Sequence, residues 1–162
     1  MTMTPADREI EPVPVLYREP ERASRIGLIA SSFAYLLGRR LVDTVPSDGD
    51  VTAALWTSEA AIVAHGTQED PLFFFGNLAA LRAFECDVGR FVGMPSRLSA
   101  EAPDRAEREA LLSRVAVDGF IADYAGTRIT ATGRHFRIEG ATVWNLIDDQ
   151  GIHHGQAATF RV

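Results

Sequence analysis

The fold of this chain is decided at residues 70–77, which read Asp70-Pro71-Leu72-Phe73-Phe74-Phe75-Gly76-Asn77. The four apolar residues 72–75 form a short continuous run, which is typical of a buried strand. Asn77 belongs to the residue types that cap helix N-termini, and residues 78–84 follow it with helix-forming leucines and alanines. We therefore predict a buried strand that passes through a cap into a short helix.

Upstream of this segment, the sequence predicts an arm, a helix and a strand. Residues 1 to about 20 are acidic and contain four prolines, so we expect an extended or disordered N-terminal arm and a domain over 21–162. Residues 60–65 form a further apolar run and predict a strand. A helix from Glu21 onward is indicated by an apolar stripe at three- and four-residue steps: Ile26, Ile29, Phe33, Leu36 and Leu37.

Downstream, the sequence predicts one longer helix and three strands. The helix is expected to begin at Asp104, because Asp104 and Glu107 have the spacing of a capping box. The strands are expected over about 120–124, 134–147 and 152–160. Residues with two-residue spacing should share a face, which groups Phe120, Ala122 and Tyr124 in one strand and Phe136, Ile138, Thr142, Trp144 and Leu146 in the next.

The order of these elements predicts an α+β fold. We expect a single antiparallel sheet of about five strands, with short helices on one face and an extra N-terminal helix. The other face of the 134–147 strand would carry Ala141, Val143 and Ile147, and such an apolar face is rarely left in water. The N-terminal helix or a second copy of the chain would cover it. We expect both, and hence a homodimer in which that helix takes part.

Composition excludes several classes of function. The 162 residues carry a net charge of −6, which argues against binding to nucleic acid. All 16 basic residues are arginine, so chemistry that needs a lysine amine, such as a Schiff base or a Walker-type phosphate loop, is excluded. Cys86 is the single cysteine. The sequence has no membrane-spanning run and no secretion signal, so we expect a cytoplasmic protein that does not bind membranes.

Several ordered motifs resemble one protein family. They are Asp70–Phe73, Pro95–Glu101, Gly119-Phe120 with Asp123-Tyr124 and Gly126, Val143–Leu146, and Gly155–Ala158. Together they resemble the MEKHLA domain, a PAS-related family that occurs as free-standing bacterial proteins and at the C-terminus of class III homeodomain–leucine-zipper factors. The resemblance implies a PAS-like fold and a sensory or interaction role. Because we find no homeodomain or zipper in this sequence, the DNA-binding role of the plant proteins is not expected here.

The predicted concave face of the sheet supplies a candidate binding site. Phe73 and Phe75 are expected to share this face with Tyr124, Phe136, Trp144 and Gln156. These side chains would surround a flat small molecule, with Asn145 or Gln156 as polar anchors. The alternative is a fully packed aromatic core without a void, and the sequence leaves both open. The candidate binding residues are Phe73, Phe75, Asn77, Ser96, Arg97, Tyr124, Phe136, Trp144, Asn145 and Gln156.

Ser96 and Arg97 have two interpretations. Flavin-binding LOV domains, which are also PAS folds, carry a Cys-Arg pair after a glycine at a similar place, and here Gly93 precedes Ser96-Arg97. A serine replaces the reactive cysteine, so adduct photochemistry is not expected. The sequence favours a structural role, in which Ser96 caps a turn and Arg97 pairs with a carboxylate such as Glu101.

Catalysis and metal binding are not expected. His65, His135, His153 and His154 are predicted at exposed or edge positions, and no supported Ser–His–Asp set or metal-binding run appears. We predict a non-catalytic sensory or interaction module whose cofactor or ligand the sequence does not identify. A small molecule in the aromatic pocket would act through dimer packing. The alternative is a ligand-free interaction scaffold with a solid core, which would recognise a partner protein through the outer face of its sheet.

Overall fold

The computed structural model of the protein describes residues 11–43 and 48–161. The helices are α1 (Pro20–Leu37), α2 (Val51–Thr57), α3 (Leu78–Phe84), α4 (Val88–Phe91) and α5 (Ala102–Asp118), with short 3-10 helices at Val15–Arg18 and Ser96–Ser99. The strands are β1 (Ala61–His65), β2 (Phe73–Gly76), β3 (Phe120–Ile129), β4 (His135–Ile147) and β5 (His153–Arg161).

The five strands form one antiparallel sheet in the order β2-β1-β5-β4-β3. The predicted α+β architecture is therefore confirmed. The first strand, β1, lies inside the sheet between β2 and β5, and all five of its residues are buried. A strand covered on both faces has no polar side, which explains why residues 61–64 are all apolar.

Helix ends follow the predicted capping chemistry at α3 but not at α5. The Asn77 side chain accepts a hydrogen bond of 3.0 Å from the Ala80 N–H, which confirms it as the cap of α3. The α5 helix begins at Ala102, two residues before the predicted start, and Glu101 at its N-cap makes no side-chain capping bond. Asp104 lies in the first turn, so the predicted capping box is wrong.

The segment before α1 is packed on the domain. The Tyr17 side chain is fully buried, and its hydroxyl donates to the Gly76 carbonyl at 2.7 Å and accepts from the Gly76 N–H at 3.0 Å. The ring also contacts Phe75, with centroids 4.8 Å apart. Residues 11–20 of the predicted arm are therefore ordered, because Tyr17 combines apolar burial with hydrogen bonds to the exposed edge of β2. Residues 1–10 lie outside the described residues.

A bulge in β4 changes which side chains share a face. Glu139 lies opposite Arg161 and Thr142 opposite Thr159, so β4 has one extra residue, and Gly140 adopts a φ of +59°. An extra residue reverses the alternation of side chains. The predicted common face of Phe136, Ile138, Thr142, Trp144 and Leu146 is therefore wrong: the first two lie on one face of the sheet and the other three on the opposite face.

Bulges also divide the predicted sets in β3 and β2. Phe120 lies opposite Trp144, and the bulge around Asp123, whose φ is +57°, places Tyr124 on the other face. In β2, Phe73 lies opposite His65 whereas Phe75 lies opposite Ala64, so these two phenylalanines also face opposite ways. The expectations of a shared face for Phe120 with Tyr124, and for Phe73 with Phe75, are both wrong.

The two faces of the sheet are covered by different helices. The inner face is covered by α3, α4 and α5, and the outer face by α1. On the outer face, Phe33 of α1 packs edge-on against Trp144 with centroids 4.8 Å apart, and the indole N–H donates to the Ile29 carbonyl at 3.1 Å. Val143, predicted to face outward, lies instead on the inner face against Leu111 and Val115.

Candidate functional site

The candidate site is a small cavity between the inner face of the sheet and helix α5. Its volume is about 50 Å³. The apolar part of its wall includes Phe73, Phe84, Leu111, Ile138, Val143 and Phe160. The polar side chains that line it are His65, Ser99, Arg108, Tyr124, Arg128 and Gln156. Two of these are arginines, and both are buried.

Arg108 reaches the cavity from the inner side of α5. It lies three, four and seven residues before Leu111, Leu112 and Val115, so the helix places it on the stripe that packs against the sheet. Its side chain is 7% exposed, and its Nη2 donates a hydrogen bond of 2.6 Å to the Ser96 hydroxyl. Burial lowers the pKa of Arg108 to about 10, and the charge of Arg128 adds to that decrease. The guanidinium remains cationic at neutral pH.

Arg128 reaches the cavity from β3, where it lies over an aromatic ring. Its guanidinium carbon is 5.6 Å from the centre of the Tyr124 ring, and its Nη1 donates to the Thr127 carbonyl at 2.9 Å. Gly126 stands between the two side chains. A Cβ atom there would lie 2.6 Å from the Tyr124 hydroxyl and 3.2 Å from Nη1 of Arg128, so the glycine leaves room for both.

Neither arginine forms an ion pair with a carboxylate in the described part of the chain. Glu109 and Asp70 raise the pKa of Arg108, but they act at longer range, and Asp70 pairs with Arg97 instead. A buried charge without a partner is costly in free energy, so two such cations beside one cavity form an unusual arrangement. It leaves the cavity electropositive.

His65 lines the same cavity as a neutral acceptor. Its Nδ1 is 3.0 Å from the Gly66 carbonyl, and since a carbonyl can only accept, Nδ1 carries the proton. Nε2 is buried and has no partner among the described residues. Burial lowers the pKa of His65 to about 4. The expectation of an exposed or edge position is wrong for this histidine, because β1 lies inside the sheet.

Two amides hold α5 against the sheet beside the cavity. The Gln156 amide nitrogen donates to the Leu112 carbonyl at 3.0 Å and to Oδ1 of Asn145 at 3.1 Å. Asn145 in turn donates to the Val115 carbonyl at 2.9 Å. Gln156 lines the cavity, and Asn145 stands behind it. The pair therefore sets the distance between the helix and β4–β5.

Six of the ten predicted binding residues lie at or next to the cavity. Phe73, Tyr124 and Gln156 line it. Ser96, Phe136 and Asn145 contact residues that line it: Ser96 bonds to Arg108, Asn145 to Gln156, and Phe136 packs on Phe84 with centroids 5.2 Å apart.

The other four predicted residues lie elsewhere. Phe75 and Trp144 pack on the outer face, against Tyr17 and Phe33 respectively. Asn77 is fully buried in hydrogen bonds to backbone atoms. Arg97 is exposed and pairs with Asp70 at 3.2 Å, rather than with Glu101 as expected. Glu101 pairs with His135.

Sequence reasoning missed four of the polar residues that line the cavity: His65, Ser99, Arg108 and Arg128. Three of them had a usable signal. His65 continues an apolar run, Arg108 has helical spacing to Leu111 and Val115, and Arg128 is two residues from a glycine in a strand. The charged residues around Arg108 hid that spacing, because they give α5 the composition of a solvent-exposed helix.

Two negative findings apply to residues 11–43 and 48–161. No three His, Cys, Asp or Glu side chains in those ranges lie close enough together to hold a metal ion. None of the helices within them has the length and apolar character needed to cross a membrane.

Comparison with known proteins gives a family and a set of curated relatives. Residues 23–162 match the family described as the MEKHLA domain. The homeobox–leucine zipper protein REVOLUTA of Arabidopsis thaliana is 27% identical over 132 residues, which covers 78% of this chain and 15% of that protein. The chain therefore spans about a sixth of the length of the curated relatives that it matches.

Solved structures share the fold at low sequence identity. A PAS domain from Colwellia psychrerythraea matches with a TM-score of 0.59 and 16% identity, over 67% of this chain and 89% of that one. An RNA-binding light-oxygen-voltage receptor matches with a TM-score of 0.60 and 20% identity, over 75% of this chain and 34% of that one. These likenesses confirm the PAS-like architecture that the sequence predicts.

Proposed function

The chain belongs to the MEKHLA domain family, and from that premise we propose that it is a PAS-like sensory module that binds a small molecule in the cavity between α5 and the sheet. Fold and family do not by themselves define a ligand. The proposal therefore depends on the cavity and its polar lining.

The observation that carries the proposal is a cavity lined by two buried cations without a counter-charge and by one buried nitrogen without a hydrogen bond in the described part of the chain. A packed aromatic core would be lined by apolar side chains, whereas this cavity has two buried arginines without carboxylate partners and a buried His65 nitrogen without a hydrogen bond. A buried nitrogen without a hydrogen bond, such as Nε2 of His65, costs about 1–3 kcal/mol, and a buried cation without an opposite charge adds a further cost. A ligand that supplies a donor and an opposite charge would recover part of that free energy.

The volume indicates a ligand smaller than the flat molecule expected from the sequence. Ordinary drug-sized pockets measure about 300–1,000 Å³. A cavity of about 50 Å³ accommodates roughly three to five non-hydrogen atoms, taking about 10–15 Å³ for each water-sized group. Two of the aromatic walls expected around a flat ligand, Phe75 and Trp144, also lie on the outer face.

Strand β4 contacts both the cavity and the N-terminal helix α1. Val143 and Asn145 face the cavity side, while Trp144 and Leu146 between and after them face α1. A ligand that changes the packing of α5 on β4 would bias how α1 packs on the outer face, as a shift between two populations. We propose that α1 carries this change to a homodimer interface.

Native mass spectrometry of the purified protein, beside the same sample denatured, tests the proposal. Ala158 lines the cavity, so Ala158→Leu should fill it, and Ala116→Leu on the exposed side of α5 is the matched control. We expect a small-molecule mass in the native wild type and in A116L, lost on denaturation and absent from A158L. A bound mass that A158L retains would contradict the assignment to this cavity.

The competing function is a ligand-free interaction scaffold. Coverage of the outer face by α1 removes the exposed apolar sheet on which that hypothesis rested. The scaffold hypothesis predicts that native mass spectrometry finds no bound small molecule. It also predicts that the melting temperatures of A158L and A116L differ only through the changed packing at each site. A non-catalytic role and a cytoplasmic location stay predictions from the sequence.

A further inference from the structure

We propose that the cavity recognises a small carboxylate with a short alkyl group, held by Arg108 and Arg128 beneath α5. This inference rests on the proposed function and adds the chemical class of the ligand. Acetate and propionate are the simplest members of that class.

The charge of the two buried arginines favours an anion as the ligand. Arg108 and Arg128 are 7% and 8% exposed, they line one cavity, and neither contacts a carboxylate among the described residues. Arg108 makes one side-chain hydrogen bond in that part of the chain, to the neutral Ser96 hydroxyl. Most buried guanidinium groups are neutralised by an anion. Here the fold supplies the cations and leaves the anion to be bound.

The shape of the two guanidinium groups favours a carboxylate. A guanidinium presents its N–H groups as a planar fork that matches the two oxygens of a carboxylate. The Tyr124 ring and hydroxyl contact the guanidinium of Arg128, and Ser96 fixes one end of Arg108. Two guanidinium forks that line one cavity from two different elements, β3 and α5, favour a planar anion as the ligand.

The apolar wall of the cavity favours a carboxylate with an alkyl group over an inorganic anion. Leu111, Val143 and Phe160 line the cavity beside the arginines. An ion such as nitrate or phosphate would leave that wall without a partner, whereas a methyl or ethyl group would cover it. The volume of about 50 Å³ limits the ligand to roughly three to five non-hydrogen atoms.

His65 adds a constraint on the rest of the ligand. Its unpartnered Nε2 is an acceptor, because Nδ1 donates to the Gly66 carbonyl. A neutral acceptor does not bind a carboxylate oxygen directly. A water that is bound together with the carboxylate, or a hydroxyl on the ligand, would donate to it.

The test is a titration of the full chain by two-dimensional amide NMR at constant ionic strength, after purification in a buffer without carboxylates. The probes are acetate, propionate, the neutral isostere acetamide, and nitrate. We expect the carboxylates to shift amides of α5, β3 and β5, with nitrate and acetamide at least tenfold weaker. Equal binding of acetamide or nitrate would overturn the proposal, as would no response to either carboxylate.

Variants at the two arginines test the proposal even if one of the variants does not fold. Arg108→Gln should weaken acetate binding at least tenfold, Arg108→Lys should restore part of it, and Arg114→Gln on the exposed side of α5 should leave it unchanged. The acetate affinity of Arg128→Gln provides a second test if R108Q does not fold. Wild-type affinity in both R108Q and R128Q would contradict the proposal.

The two proposals fail in different ways. If native mass spectrometry finds a cavity ligand that is not an acid, and the carboxylates do not bind, then the inference is wrong and the sensory function stands. If neither experiment finds a ligand in this cavity, both are wrong.

Discussion

The Nη2 atom of Arg108 lies 2.6 Å from the hydroxyl oxygen of Ser96, twelve residues earlier in the chain. Both side chains are buried. Ser96 occupies the position at which the sequence resembles the Cys-Arg pair of LOV domains, yet its hydroxyl accepts a bond from an arginine of α5 and its neighbour Arg97 points outward to Asp70. Ser96 therefore positions a charged group at the cavity.

Removal of this hydroxyl should destabilise the protein. Ser96→Ala leaves one N–H group of a buried guanidinium without a partner, which costs about 1–3 kcal/mol in the free energy of unfolding. Urea denaturation measures the change. Ser113→Ala is the matched control, because Ser113 is exposed on α5 and alanine has the higher helix propensity. If S96A and S113A were equally stable, the Ser96–Arg108 hydrogen bond would contribute nothing to the free energy of unfolding.

Stability should depend on pH through His65. Burial lowers the pKa of this histidine to about 4 from its ordinary value of 6.5, so between those values the unfolded chain binds the additional proton. His65 therefore contributes fully above pH 6.5, and its contribution is lost as the pH falls toward 4. The loss amounts to about 3 kcal/mol at most, at 1.36 kcal/mol for each unit of pKa shift.

Denaturation at pH 7.5 and pH 5 checks this dependence. The wild type should lose stability between the two, and His65→Gln should lose less. His153→Gln serves as the control because His153 is exposed, and it should follow the wild type. A wild-type protein whose unfolding free energy is the same at both pH values would contradict the burial of a neutral His65.

The sequence predicted the helices and strands and their order better than it predicted which side chains share a face of the sheet. Apolar runs and caps such as Asn77 are local signals, and they located the strands and α3 within a few residues. The faces failed because a single extra residue, at Gly140 in β4 or near Asp123 in β3, inverts every later side chain. Gly140 is a local signal for the bulge in β4, since a glycine inside a strand pattern often marks one, but alternation alone does not reveal either bulge.

The candidate site was partly predictable for a related reason. Tyr124 and Gln156 were found because aromatic and amide residues in strands stand out by type. Arg108 was not found, because an arginine among acidic residues has the appearance of a solvated side chain until the sheet is packed against its helix. Its burial depends on the position of α5 across β3 and β4, which is a property of tertiary structure.

Gly155 should tolerate no side chain. A Cβ atom there would lie 1.9 Å from the carbonyl oxygen of His65 on the neighbouring strand, and the φ angle of +137° is one that other residues rarely adopt. We expect Gly155→Ala to cost more than about 3 kcal/mol, since β1 and β5 would have to separate. Urea denaturation or the yield of folded protein measures it.

A second glycine separates steric conflict from backbone strain. Gly133 has a φ of +88° with open space around its Cβ position, so Gly133→Ala should cost about 1 kcal/mol. A G155A variant no less stable than G133A would mean that the strands move apart at little cost.

Asn77 should prove to be a structural residue, although the sequence placed it among the binding candidates. Its side chain caps α3, accepts from the Ile62 N–H at 2.9 Å, and donates to the Leu55 and Ala60 carbonyls at 3.0 and 2.8 Å. Asn77→Ala removes all of these bonds, so we expect a loss of more than about 3 kcal/mol by urea denaturation.

Two further variants distinguish the roles of Asn77. Asp87→Ala removes an exposed cap from α4 and should cost about 1 kcal/mol. Asn77→Asp keeps the acceptor but places a carboxylate against two carbonyls, so we expect it to be at least as damaging as N77A. If N77D were as stable as the wild type, Asn77 would act only as an acceptor, toward the Ala80 and Ile62 N–H groups. Its amide would then have no part in joining α2 and β1 to α3.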